Sequence, residues 1–194
     1  MHFTAGDEAI AAALLAISRA QPRCGATRVV AIDGPSGAGK TDFAAALAKH
    51  LPSAHVLHVD DMCPGWDGLE QAVADLHDQV LAPLARGERA AYRRWDWEHD
   101  RYAERHSLPA THLLLVEGVG SGAGRGAELE SVLIWLEADR AVRFRRGIER
   151  DGPSYLPHWE RWAAHEEALF AFDGTRNRAD LILDTTPSTP SPPA

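Results

Sequence analysis

Cysteine is almost missing from this chain: 194 residues contain only Cys24 and Cys63, with no Cys-x-x-Cys pair. That excludes a disulfide framework and a structural zinc site, and it suits a reducing cytoplasm. An excess of positive charge is missing too. The formal net charge is -8, so broad attraction to nucleic acid or to an anionic membrane is not expected, and any basic patch has to be local. No stretch reaches the roughly 18 consecutive apolar residues of a membrane span. Ser18 and Arg19 interrupt the Ala/Leu/Ile run near the start, and residues 1–8 lack the basic flank of a signal peptide. No repeat with a period of about 20–50 residues is visible. What remains is ordinary globular composition, with 45% hydrophobic and 25% charged residues. Its length suits one domain over residues 1–184. Residues 185–194 are so rich in Pro, Ser and Thr that a disordered tail is expected.

Within the domain, short apolar runs alternate with helical periodicity. Strands are expected at 28–33, 55–60, 112–117, 132–137 and 180–184. Ile10, Leu14 and Ile17 place a helix over 7–20, with Asp7 as its cap. Phe43, Leu47 and Leu51 mark a second, stopped by Pro52. Leu69, Val73, Leu76 and Val80 mark a third, ended near Pro83, and residues 139–150 and 158–171 supply two more. Such alternation implies an α/β fold: a parallel sheet covered by helices on both faces, with the strand C-terminal ends along one edge.

The strand at 28–33 runs into Gly34-Pro35-Ser36-Gly37-Ala38-Gly39-Lys40-Thr41. Glycines without Cβ let backbone N–H groups surround a β-phosphate, Lys40 is placed for the β and γ oxygens, and Thr41 can offer its hydroxyl to Mg²⁺. The helix that follows aims its N-terminal dipole at the phosphates. Residues 34 and 36–41 are therefore the expected ATP-binding loop. A second glycine-rich stretch, 118–126, contains a Gly-x-Gly-x-x-Ala match with no strand directly before it, and is read as a flexible loop. His55 and His58, with Cys63, lack a fourth metal ligand and are read as packing or exposed residues.

If the sheet is parallel, Asp60 and Asp61 end one strand and Glu117 another, on the edge that carries the loop. These are the groups that Mg²⁺ and a phosphoryl-accepting hydroxyl require. The phosphate loop, His58-Val59-Asp60-Asp61-Met62, Leu115-Val116-Glu117-Gly118 and an arginine-rich helix occur in that order. The chain thereby resembles, over residues 28–184, the uridine kinase branch of the P-loop kinases. The resemblance implies a three-layer P-loop NTPase fold with a five-stranded sheet of order 2-3-1-4-5. It also implies Asp60 as catalytic base and Mg²⁺ contact, and Glu117 as a second Mg²⁺ residue. The family's aromatic pair after the aspartate is replaced by Met62-Cys63-Pro64-Gly65-Trp66, and its Tyr-x-Phe with a following histidine is answered only loosely by Trp95-Asp96-Trp97 and His99.

Arg140, Arg143, Arg145, Arg146 and Arg150 crowd one helix at 139–151, which suits a lid whose guanidinium forks clamp phosphate oxygens. By resemblance Arg146 and Arg150 match the lid arginines best. The bland alternative is a solvated face paired with Glu149 and Asp151. Residues 92–100 mix Tyr92, Trp95, Trp97 and His99 with charges after an expected strand at 90–93. With Asp61 and Trp66 they are candidates for an acceptor pocket, or else a cover over the core. The expected activity is transfer of the γ-phosphate of ATP to a hydroxyl of a small molecule, a nucleoside first. The alternatives are a sugar, vitamin-precursor or antibiotic hydroxyl, or an ATP-driven switch with no acceptor.

Overall fold

A computed structural model describes residues 2–4, 6–109 and 111–187. Five parallel strands form the centre: β2 (Arg28–Asp33), β3 (His55–His58), β6 (Leu113–Glu117), β7 (Val132–Glu137) and β8 (Leu181–Asp184). Counted among themselves they lie in the order 2-3-1-4-5, as the resemblance implies. A sixth strand, β1 (His2–Thr4), pairs in parallel with β8 at the edge; three residues give no periodicity to read.

The pleat divides the core in two. On one face Val30, Ile32, Leu115 and Ile134 pack under α1 (Asp7–Arg19) and α2 (Lys40–Ala48) through Ala13, Ile17, Phe43 and Leu47. On the other, Val29, Leu114 and Val116 meet Leu69, Leu76, Leu81 and Trp162. Alternate residues of one strand thus feed opposite layers, which is why β2 and β6 read as unbroken apolar runs. Beyond the sheet come the arginine-rich α5 (Arg140–Asp151), the long α6 (Leu156–Asp173) and the short α7 (Thr175–Arg178).

Several boundaries differ from expectation. Gly6, not Asp7, is the N-cap of α1. Helix α2 stops at Ala48, leaving Leu51 and Pro52 beyond it. The third helix runs as α3 (Leu69–Asp75), a π turn (Leu76–Leu81) and α4 (Ala82–Ala85), so Pro83 sits inside its last turn. Pro83 follows directly on the π turn, where the i→i−4 ladder is already interrupted. The strand expected at 90–93 is β4 (Ala90–Asp96), and it pairs antiparallel with β5 (Arg101–Leu108), whose polar residues hid it. Within the expected tail, Thr185 and Thr186 are hydrogen-bonded to the domain; residues 188–194 lie outside the described residues.

Glu130, just before β7, is buried at 4% exposure. Loss of hydration, and then the charge of Asp33, push its carboxyl up to about 9. An unfolded glutamate titrates near 4.3, so between those values folding must keep a proton that the unfolded chain releases. Stability therefore falls as pH rises through that window. Glu130→Gln should be more stable than wild type by about 2 kcal/mol or more at pH 8, with the gain shrinking towards zero near pH 4.5. Urea unfolding at both pH values measures this; an equal difference at both would contradict it.

Candidate active site

The turn from β2 to α2 is possible only with glycine at two points. Gly34 (φ 139°) and Gly37 (φ 77°) lie where an added Cβ would strike the Leu136 carbonyl and the Arg143 backbone. Lys40 is buried beneath the loop, its Nζ donating to the carbonyls of Gly34 (2.8 Å) and Pro35 (3.1 Å). The Ser36 N–H donates to Glu166 Oε1 at 2.8 Å, and Trp162 Nε1 donates to Ser36 Oγ at 2.9 Å. Arg143 Nη1 reaches the Ser36 carbonyl at 3.3 Å and Thr185 Oγ1 donates to that of Ala38 at 2.9 Å. Glu166, Trp162 and Thr185 escaped the sequence reading. A buried acid on the inner face of a helix was the one available signal for Glu166.

Behind the loop, Asp33 is fully buried and accepts N–H groups from Gly34 (2.6 Å), Gly120 (2.9 Å) and Gly122 (2.8 Å). Burial pushes its carboxyl up to about 6, although these bonds and Lys40 pull the other way. The glycine stretch after β6 is therefore not the free loop expected. Asp33 ties down its first turns, and Gly124–Leu129 forms a 3-10 helix.

The acidic residues assemble on the same edge. Glu117 ends β6, and Thr41 Oγ1 lies 3.2 and 3.3 Å from its two oxygens. His58 Nδ1 lies 2.5 Å from Glu117 Oε1, and this hydrogen bond raises the pKa of His58. His58 thus belongs to the site, contrary to its expected role in packing or exposure; its lack of a metal-ligand spacing concealed a pairing that only the β3–β6 register creates. Asp60 and Asp61 do not end a strand. β3 stops at His58, and both sit on a 3-10 turn, Val59–Met62, whose Val59 and Met62 are buried while Asp60 opens to solvent. Crowding by the protein raises the pKa of Asp60, Glu117 adds to this, and Lys40 and Arg150 oppose it. With solvent at hand, that desolvation is partial.

Lys40, Thr41, Asp60, Glu117, Arg146 and Arg150 line one cleft of about 490 Å³. Among the described residues no group of three His, Cys, Asp or Glu side chains closes a metal cage. Mg²⁺ rarely needs one, since it takes one or two carboxylates and completes its shell with water and phosphate oxygens. The hard oxygen donors of Thr41, Glu117 and Asp60 fit that ion.

The arginines of α5 divide. Arg146 donates to the Gly37 carbonyl (3.2 Å) and to Thr185 Oγ1 and O (2.8 Å each), fixing it beside the loop. Arg150 lines the cleft while paired with Asp151 at 2.6 Å, as the bland reading foresaw. Arg140 turns away to Glu160, and Arg143 supports the loop from behind.

The aromatic candidates also divide. Trp97 Nε1 donates to the Asp60 carbonyl at 3.0 Å, and its ring meets Trp66 edge-on at 5.2 Å. Trp66 stacks on His158 at 4.5 Å and touches Tyr155 and Trp162, three further aromatics that were not anticipated. Tyr92 is instead buried in the core and stacked on His106, Trp95 packs edge-on to Tyr102, and His99 bonds Asp96 in the hairpin turn. These three hold the β4–β5 hairpin together. Asp61 is half-buried, its charge felt by His58 and Tyr92.

A parallel sheet of this order, with a glycine loop and lysine after its central strand, is the fold of P-loop kinases. No protein-family model matches the chain. The structure is similar to that of a possible uridine kinase from Bacillus stearothermophilus (TM-score 0.64, 21% identity, 91% of this chain and 96% of that one). It is also similar to a candidate fructose transport system kinase from a Silicibacter species (TM-score 0.58, 21% identity, 89% and 98%). In sequence it is 29% identical over 143 residues to cytidylate kinase of Pseudomonas aeruginosa, covering 66% of this chain. The match spans 57% of that relative's length. These likenesses establish the P-loop kinase-like fold.

Proposed function

We propose that this protein is an ATP- and Mg²⁺-dependent kinase that transfers the γ-phosphate to a hydroxyl of a small molecule. The observation that carries this reading is the single cleft in which a loop lysine, two carboxylates and two lid arginines face one another. Bound Mg²⁺ would supply charge neutralisation at the phosphates, held through Thr41, Glu117 and Asp60. Lys40 leaves its carbonyl partners for phosphate oxygens, and the loop N–H groups orient them. Arg146 and Arg150 offset charge that develops during transfer. Asp60 orients the acceptor hydroxyl and takes its proton at a carboxylate oxygen.

A hydroxyl acceptor is favoured over a phosphate acceptor because Asp60, with Glu117 in the same cleft, carries negative charge that repels an incoming anion. A nucleoside leads, since the Trp97 ring is tied to the Asp60 carbonyl and is 41% exposed. The test is ADP release with uridine, cytidine, cytidine monophosphate, sugars and other alcohols, with mass spectrometry of the product. Release stimulated only by the monophosphate would overturn the hydroxyl reading. No stimulation by any acceptor would leave the switch reading in its place.

Trp97→Ala removes both the indole bond to the Asp60 carbonyl and the contact with Trp66. It should raise the KM for the acceptor by about tenfold while changing that for ATP by less than about threefold. Steady-state kinetics with each substrate varied in turn decides this, and equal effects on both would remove Trp97 from the acceptor wall.

A further inference from the structure

The sheet has a second polar recess, at the edge opposite the phosphate loop. A cavity of about 450 Å³ opens where three strands begin, lined by Gln21 and Arg23 ahead of β2, Glu130 and Ser131 ahead of β7, and Arg178 and Asp180 ahead of β8. No part of the proposed phosphoryl transfer uses it. Two of its polar atoms, Glu130 Oε1 and Ser131 Oγ, are buried and have no hydrogen-bond partner among the described residues. Glu130 is only 4% exposed. Buried polar atoms are almost always satisfied, because an unmade hydrogen bond costs its full desolvation. Two such atoms on one cavity wall therefore point to something that enters.

The neighbours specify the charge of what enters. Arg23 is exposed at the mouth and has no acidic partner among the described residues; its one bond is a 3.4 Å contact from Nη1 to the Glu130 carbonyl. Arg178 is already paired with Asp173, and Asp180 Oδ2 accepts the Leu133 N–H at 2.8 Å. The uncommitted donors thus include a guanidinium, the Ser131 hydroxyl and the Glu130 carboxyl, with Gln21 and the Asp180 carboxylate also lining the recess. Burial keeps the Glu130 carboxyl protonated at neutral pH, with its O–H to donate. Each of the three can donate to an acceptor within the recess that all three line.

We propose that this recess is a second ligand site, which takes a small metabolite bearing a carboxylate or phosphate group on Arg23, Ser131 and Glu130. Guanidinium is suited to either group, because its planar fork matches a pair of oxygens. The site is independent of the kinase reading, since none of its residues lines the cleft at the other edge.

Isothermal titration of the full chain tests it, with succinate as the carboxylate probe and glycerol 3-phosphate as the phosphate probe. At least one should bind saturably at one site per chain, and which one binds assigns the anion. Arg23→Gln, at an exposed position that leaves the core intact, should weaken that binding by about tenfold or more, as expected for loss of a charge-assisted bond. Glu130→Gln keeps a neutral donor and should bind within a few-fold of wild type, whereas Glu130→Ala should lose about tenfold or more. Lys40→Ala separates this site from the phosphate loop and should bind as wild type. The proposal is overturned if neither probe saturates, if Arg23→Gln binds unchanged, or if binding disappears with Lys40. Should Glu130→Ala fail to fold, the Arg23→Gln result alone decides.

Discussion

Lys40→Ala should lower phosphoryl transfer by roughly 10²–10³-fold or more, with a thermal midpoint close to that of wild type. The loss follows from position. Lys40 is the one lysine that lines the cleft, held under the loop by the backbone carbonyls of Gly34 and Pro35. Once it has exchanged those carbonyls for phosphate oxygens, the ammonium meets the charge that develops during transfer. The apolar core does not depend on it, because α2 packs through Phe43, Ala44 and Leu47. Turnover and thermal unfolding on the same preparation make the test. Near-normal turnover would refute the assignment of this loop, and a lost fold would show that Lys40 is structural.

The second large effect is expected at Asp60. Asp60→Asn should retain ATP binding while kcat falls by about 10²-fold or more, because the amide keeps the shape and loses the capacity to take a proton. Asp61→Asn is the matched control: it is one residue away on the same turn but does not line the cleft, and should lose less than about threefold. Reversed results would move the base to Asp61. Comparable losses in both would mean that the acidic field, not one proton acceptor, is what matters.

Much of the phosphate half was legible because it is local in the chain. One strand, eight loop residues and one helix carry the loop, and the glycines, the lysine and the threonine are each demanded by geometry. The five central strands were legible for a related reason, as strands covered on both faces must be apolar throughout. What stayed hidden is non-local. Glu166 and Trp162 reach the loop from a helix more than a hundred residues later, through Ser36. Thr185 looked like part of a Pro/Ser/Thr tail, yet it bridges Arg146 and Ala38. His58 showed no metal spacing, and its carboxylate partner lies on another strand. The aromatic segment misled in a different way. Sequence places Tyr92, Trp95, Trp97 and His99 together, but a strand and its hairpin turn send them in different directions, so that only Trp97 faces Asp60.

The bonds of Asp33 bear on how such a molecule can change. A single carboxyl pins both the phosphate loop and the glycine turns after β6, and Thr185 fastens the lid side to the same frame. The exposed Trp97 is hung elsewhere, on a hairpin that meets the turn after β3 through Trp97 and enters the core through Ala90, Tyr92 and Leu108. The two are nonetheless joined, because Trp66, which meets Trp97, packs edge-on to Trp162, and Trp162 donates to Ser36 Oγ of the loop. A change at Trp66 is therefore felt at the loop through one intervening ring, whereas a change at Trp97 is one contact further away.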